Sequence, residues 1–142
     1  MPSQLFPLAP GLSVAGRLDR ADIDTLAGAG IRTIINNRPD GEDPGQLPAG
    51  EAQRISEAHG IAYHHIPITA ATLSRADVDR FAAALRDATA PVVAHCRSGT
   101  RSALLWALTR MREGADPLSL IAGAARHGID IAALPAIAAR LR

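Results

Sequence analysis

Short apolar segments alternate with helical segments along most of this chain. Four segments are apolar or alternate between apolar and polar residues: 12–15, 31–35, 61–68 and 91–95. Each of them is followed by a stretch in which apolar residues recur at helical spacing. Strands that alternate with helices of about ten residues are typical of βαβ units, because parallel strands need crossover helices. The pattern predicts an α/β fold of three αβα layers, with a four-stranded, mainly parallel sheet.

The predicted helices occupy the intervals between these strands and the end of the chain. They cover residues 22–29, 51–59, 74–87, 102–113, 117–127 and 131–140. Ser74 and Asp77 have the spacing of a capping box with Asp in place of Glu. The strand-free C-terminal third is expected to pack on one face of the sheet. A chain of 142 residues fits one domain, and we assign residues 1–142 to it.

Composition excludes several classes of function. The formal net charge is +1 with no basic run, so neither a nucleic acid nor a membrane surface is an expected partner. The single cysteine excludes an internal disulfide. The N-terminal residues lack the pattern of a signal peptide, and no apolar run approaches the ~20 residues of a membrane span. A cytoplasmic location is the resulting expectation.

The segment at residues 92–102 carries the clearest chemical signal. A predicted buried strand leads into His95-Cys96-Arg97-Ser98-Gly99-Thr100-Arg101-Ser102, and a helix follows directly. Backbone N–H groups in a glycine-containing loop before a helix can converge on one point and bind an anion. A thiolate at Cys96 would be stabilised by those N–H groups and by the arginines. We therefore predict Cys96 and Arg101 as catalytic residues, and Arg97, Ser98, Gly99, Thr100 and Ser102 as anion-binding residues.

A buried structural cysteine is the alternative interpretation of Cys96, since free cysteines are often buried. It is disfavoured because the charged and hydroxyl side chains that follow would each need a partner in a protein core. The anion-binding pattern around Cys96 therefore favours a nucleophile.

Three further residues are candidates for supporting roles. His95 could fix the loop through a backbone bond, or could be an ordinary residue at a strand end. Arg38 could bind an anion, or could pair with Glu42 or Asp43. Asp40 could act as a proton donor, although Pro-Asp-Gly is a strong turn signal and favours a turn residue. The pair His64-His65 has no further ligands at metal-site spacing, so no metal or other cofactor is expected.

Two motifs in order, residues 36–42 (Asn-Asn-Arg-Pro-Asp-Gly-Glu) and 95–102, resemble those of a bacterial family. It was once numbered 442 among domains of unknown function, and is also called the phosphatase-like domain of beta-lactamase hydrolase-like proteins. The resemblance covers nearly the whole chain. It implies a dual-specificity-phosphatase-like fold with its site at the cysteine loop. In some bacteria the domain is fused to a persulfide dioxygenase, and the resemblance then implies rhodanese-like sulfur transfer.

Two departures separate this sequence from cysteine phosphatases. Their signature places five residues between the cysteine and the arginine, whereas only four separate Cys96 from Arg101, as in the rhodanese pattern Cys-Arg-x-Gly-x-Arg. Dual-specificity phosphatases also carry a general acid on the loop after the preceding strand. Residues 66–73 of this chain contain no carboxylate.

The leading hypothesis from the sequence is therefore a sulfurtransferase. Cys96 would take a sulfane sulfur from thiosulfate or glutathione persulfide and pass it to an external thiol or cyanide, and a persulfide dioxygenase would be a possible partner. The second hypothesis is a phosphatase that forms a phosphocysteine on Cys96. The third is a non-catalytic module that binds anions or phosphopeptides with the same loop.

Overall fold

The computed structural model describes residues 4–142 and contains a five-stranded sheet between two helical layers. The strands are β1 (Leu5–Ala9), β2 (Leu12–Ala15), β3 (Thr33–Asn36), β4 (Ala62–His65) and β5 (Val92–His95). The helices are α1 (Arg20–Gly28), α2 (Ala49–Ala58), α3 (Arg75–Asp87), α4 (Thr100–Arg112), α5 (Pro117–Ala125) and α6 (Leu134–Arg140). The predicted α/β class with three layers is confirmed.

The sheet has one strand more than the sequence predicted. Its order is β1-β2-β5-β3-β4, with β1 antiparallel to β2 and the remaining pairs parallel. The extra strand, β1, contains Pro7 and pairs irregularly near Ala9. Proline cannot donate a ladder hydrogen bond and is tolerated in strands mainly at an edge, which is where β1 lies. Pro7 weakens the strand pattern of this short edge segment, which the sequence analysis did not predict as a strand.

The two faces of the sheet pack against different helices. On one face Ile34 and Val93 pack with Ile23 of α1 and Ile55 of α2. On the other face strand residues such as Val14 and Ala94 share a core with α3, α4, α5 and α6. The C-terminal helices therefore pack on one face, as expected. The predicted capping box of α3 is also present, because Ser74 and Asp77 bond each other's backbone N–H groups.

Parallel pairing brings the carboxyl ends of four strands to one edge. His95 at the end of β5 pairs with Ala15 of β2 on one side and with Asn36 of β3 on the other. Asn36 in turn pairs with His65 of β4. The sequence predicted a strand over residues 61–68, whereas β4 ends at residue 65. The N–H groups of Ile66 and Ile68 nevertheless donate to the carbonyls of Asn36 and Asn37. Pro67 between them has no N–H to donate, which interrupts the regular ladder.

No helix among residues 4–142 is both long enough and apolar enough to cross a bilayer.

Replacing Phe81 of α3 with alanine should test the larger core. Its side chain is fully buried, so we expect Phe81→Ala to lower the free energy of unfolding by about 3–5 kcal/mol. Leu118→Ala is the matched control, because Leu118 is 70% exposed and its loss should cost less than about 0.5 kcal/mol. Urea unfolding followed by circular dichroism measures both; equal losses would contradict this assignment of the core.

Candidate active site

The cysteine loop connects the central strand of the sheet to α4. Cys96 follows β5 directly, and its N–H bonds the carbonyl of Ala15 at 3.3 Å. Gly99 caps α4 with a φ of +95°, a backbone conformation that favours glycine, and its N–H lies 3.1 Å from the Cys96 Sγ atom. The loop thus folds back so that a backbone donor points at the sulfur.

A second glycine lets the neighbouring strand approach this loop. A Cβ atom on Gly16 would lie 3.0 Å from the carbonyl oxygen of Arg97. That same oxygen accepts the N–H of Arg17. The β2 end and the cysteine loop therefore touch through backbone atoms, and a larger residue at position 16 would push them apart.

The loop keeps unpaired donors for an anion. Within residues 4–142 the backbone N–H groups of Arg97, Ser98, Thr100 and Arg101 donate to no other group of the chain. The first N–H groups of a helix have no partner inside the helix, and they carry its partial positive charge. These donors surround the start of α4, where the sequence predicted an anion site.

The cysteine itself is buried. No part of Cys96 is exposed, although the neighbouring Arg97 and Ser98 are exposed. A substrate can therefore reach Sγ only if atoms around the loop move. Burial alone would suit a structural cysteine, but the N–H of Gly99 on the sulfur and the free donors around it are features of a nucleophile site.

Arg101 is held by a carboxylate that the sequence analysis did not predict as a site residue. Its Nη1 and Nη2 atoms bond the two carboxylate oxygens of Glu42 at 2.7 and 2.8 Å, and Nη1 also donates to the Ile68 carbonyl at 3.0 Å. The bonds from Arg101, and next those from Arg38, lower the pKa of Glu42 to about 2 against the partial opposition of burial. Glu42 is therefore a carboxylate at neutral pH and cannot serve as a proton donor.

Arg38 takes the pairing role that the sequence left open. Its buried guanidinium donates to Glu42 through Nε and to Asp43 through Nη2. Asp43 also pairs with Arg97, at 3.2 Å between Arg97 Nε and Asp43 Oδ2. With both carboxylates bound and little surface exposed, Arg38 serves the site by holding acidic side chains in place rather than as an open anion donor.

Asp40 lies in the turn that Pro-Asp-Gly predicts and helps to cap α2. Its Oδ1 accepts the N–H of Ala49, the first residue of α2, at 2.9 Å. No observation assigns it a proton-transfer role, which stays a prediction.

Asn37, directly before Arg38, connects the end of β3 to the segment after β4 and to α4. Asn37 Nδ2 donates to the Ile66 carbonyl, and Asn37 Oδ1 accepts the hydroxyl of Ser102 at 2.8 Å. Ser102 was predicted to bind the anion. Its buried hydroxyl is instead donated to Asn37, which fastens α4 to the end of β3. The other predicted hydroxyls lie at the surface of the loop, where Ser98 Oγ donates to Thr100 Oγ1 at 3.2 Å.

His95 is neutral at physiological pH. Burial lowers the pKa of His95 to about 4 from an ordinary 6.5, and the charges of Arg38 and His65 act in the same direction. A neutral, buried imidazole directly before the cysteine is a structural neighbour of the loop and not a cation that could pair with a thiolate. Among residues 4–142, no group of three or more potential metal ligands comes together.

The fold and this loop define a class of protein. An αβα sheet whose central strand leads through a cysteine loop into a helix is the cysteine-phosphatase-like arrangement, and solved structures agree. A crystal structure of a candidate phosphatase from Neisseria meningitidis matches with a TM-score of 0.83 and 34% identity, covering 93% of this chain and 94% of that one. Tk-PTP in its active form matches with a TM-score of 0.75 over 96% and 95% of the two chains, and its 16% identity shows the fold alone.

The particular family follows from the sequence comparison. Residues 4–113 match the model of the beta-lactamase hydrolase-like protein, phosphatase-like domain, and the chain belongs to this family. The beta-lactamase hydrolase-like protein of Agrobacterium fabrum is 37% identical over 123 residues, which are 86% of this chain. That of Xylella fastidiosa is 32% identical over 84% of it. In both cases the matched region spans only 28% of the relative's length. The family resemblance predicted from the two motifs is confirmed.

The low pKa of His95 predicts a specific dependence of stability on pH. Between pH 6.5 and 4 the unfolded chain takes up a proton at this histidine while the folded protein does not, so stability falls as the pH is lowered through that window. The loss should reach roughly 3 kcal/mol, and it should be absent from His95→Asn. Urea unfolding at several pH values compares the two, with His64→Asn as the matched histidine variant. Equal slopes for the wild type and His95→Asn would contradict the prediction.

Proposed function

We propose that the protein is a cysteine-dependent phosphatase in which Cys96 forms a transient phosphocysteine. The observation that carries this proposal is the N–H of Gly99 on Cys96 Sγ, at 3.1 Å, beside the unpaired backbone N–H groups of the loop and of the start of α4. Membership in a family described as phosphatase-like, and similarity to the Neisseria meningitidis candidate phosphatase, support the proposal. The sulfur-transfer hypothesis from the sequence has no such support from the comparisons.

The proposed reaction has two displacements at phosphorus. The Cys96 thiolate attacks the phosphate monoester, the S–P bond forms, and the P–O bond to the leaving group breaks. Water then attacks the phosphocysteine, which releases inorganic phosphate and regenerates the thiolate. The unpaired loop N–H groups and Arg101 would hold the negative phosphoryl oxygens during both steps, as donors aimed at developing charge do.

Proton supply to the leaving group determines which phosphate ester is the appropriate probe. Glu42 is held as a carboxylate by two arginines, and residues 66–73 offer no acid. An aryl phosphate is therefore the appropriate probe, because a nitrophenolate can leave without being protonated.

Replacing the nucleophile tests the proposal. We expect the wild type to hydrolyse 4-nitrophenyl phosphate and Cys96→Ser to lose roughly 10³-fold or more of kcat, because no other group can form the covalent intermediate. Release of nitrophenolate is the measurement. Glu51→Ala removes an exposed ion pair between α2 and Arg20 of α1, outside the cysteine loop; it is the control and should keep the wild-type rate. Hydrolysis that survives in Cys96→Ser would exclude the mechanism.

Sulfur transfer is the second candidate, and one specific observation favours it. Only four residues separate Cys96 from Arg101, so the loop encloses less space than a ring with one residue more. A persulfide adds a single sulfur atom to the cysteine, and its sulfite or thiolate leaving group needs no acid. On this proposal the donor would be a small anionic compound such as thiosulfate or glutathione persulfide, and the acceptor an external thiol or cyanide, because the chain has no second cysteine.

Intact-mass spectrometry distinguishes this second candidate from the first. If sulfur transfer operates, thiosulfate treatment should add one sulfur atom to the wild type and none to Cys96→Ser, and cyanide should then remove it as thiocyanate. An unchanged mass with thiosulfate and with glutathione persulfide, in a protein that hydrolyses the aryl phosphate, would leave phosphatase activity as the function. Both assays use the same preparation, so inactive protein cannot be mistaken for either result.

A further inference from the structure

A chain of ion pairs joins the loop after β3 to the cysteine loop. It runs from Arg101 to Glu42, from Glu42 to Arg38, from Arg38 to Asp43, and from Asp43 to Arg97. We call these five residues the ion-pair chain. Its members come from two segments far apart in sequence, and the contact between Arg101 and Glu42 spans 59 positions.

Within this chain, Arg101 is bound along one edge of its guanidinium group. Nη1 and Nη2 face the two oxygens of Glu42, and the Ile68 carbonyl accepts a further bond from Nη1. Such a two-point contact fixes the plane of the guanidinium group, whereas a single ion pair would leave it free to rotate. The Nε–H makes none of these bonds and stays available.

Arg101 and Cys96 belong to the same short loop, in which four residues separate them. The hydrogen bond with Glu42 is the main cause of the raised pKa of Arg101, and Cys96 acts in the same direction. Glu42 and Cys96 thus both favour the charged guanidinium group of Arg101.

Glu42 is itself fixed to the sheet through Arg38. The guanidinium of Arg38 is buried and donates to Glu42 Oε1 at 3.1 Å. The backbone of Arg38 is bonded on both sides, with its N–H donated to Asn36 Oδ1 and its carbonyl in contact with His65 Nε2 at 2.9 Å. These bonds reach the carboxyl ends of β3 and β4, and β3 is also the strand that pairs with β5 before the cysteine loop.

We propose that Glu42 is a positioning residue that fixes the guanidinium plane of Arg101, so that its unbound edge is presented to an oxyanion held over Cys96. This inference rests on the proposed anion chemistry at Cys96. It differs from the reading in which Glu42 is an internal anion that competes with the substrate for Arg101. Removing the charge of Glu42 separates the two, because positioning predicts weaker catalysis and competition predicts stronger binding.

The first test compares Glu42→Gln with two matched variants. We expect Glu42→Gln to lower kcat/KM for 4-nitrophenyl phosphate about 10–100-fold, with part of the loss in kcat, because small displacements of a catalytic group are costly. Asp43→Asn breaks the same ion-pair chain at a carboxylate that does not touch Arg101, so its loss should be clearly smaller. Glu51→Ala should match the wild type. Melting temperatures of all three show whether folding, and not positioning, has changed.

The second test does not depend on turnover. Cys96 is the single cysteine, so its alkylation by iodoacetamide is read directly from the intact mass, and a bound anion should slow it. The concentration of inorganic phosphate, or of thiosulfate, that protects half of the protein should rise about tenfold in Glu42→Gln.

The two tests together separate a failure of this inference from a failure of the proposed function. A wild type that hydrolyses no ester and is protected by neither anion would contradict the proposed function itself. An active, protected wild type whose Glu42→Gln variant is unchanged, or no worse than Asp43→Asn, would overturn the positioning role alone. Faster turnover or tighter anion binding in Glu42→Gln would overturn it in favour of competition.

Discussion

The parallel pairing of β5 between β2 and β3 is the constraint on which the site depends. It sets His95 level with Ala15 and with Asn36, so the segments that leave these three strands emerge side by side. Cys96 follows one strand and the loop of Arg38 and Glu42 follows another. A shift of β5 by one residue would turn its side chains to the opposite faces of the sheet and would separate both loops.

The electrostatics of the site combine strong pairing with a small positive excess. The ion-pair chain contains three guanidinium groups and two carboxylates, which leaves one positive charge uncompensated beside the unpaired N–H groups of α4. Buried charges are costly unless they are paired, and Arg38 meets that condition through two carboxylates. The surplus charge and the backbone donors suit an anion, whereas the neutral His95 adds none. The arrangement therefore places the attraction for an anion on Arg101 and the loop backbone.

The sequence predicted the parts of this structure that arise from local patterns. Helix and strand periodicity located the six helices and four of the five strands of residues 4–142, and the strand that it missed, β1, contains Pro7 at the sheet edge. The cysteine loop was identifiable because Gly99 and the arginines lie within a few positions of Cys96. The pairing of Glu42 with Arg101 was not, because two residues 59 positions apart show no spacing signal. The sequence did contain a local signal, because two acidic residues lie four and five positions after Arg38 and could pair with it. Nothing in the sequence indicated that Glu42 would also pair with Arg101.

Ser102 and the length of the loop bear on the choice between phosphoryl and sulfur transfer. The hydroxyl of Ser102, which follows the loop arginine, is bonded to Asn37 and so fastens α4 instead of facing an anion. With four residues between Cys96 and Arg101, the N–H of Gly99 already contacts the sulfur. A phosphoryl group attached to that sulfur would need its three oxygens to find donors around a small ring, and Arg101 would have to supply part of what a longer loop supplies with backbone. The orientation of Arg101 then matters more in this protein than in one with a wider loop. That requirement explains why Glu42, itself held by the buried Arg38, binds the guanidinium group of Arg101 at two points.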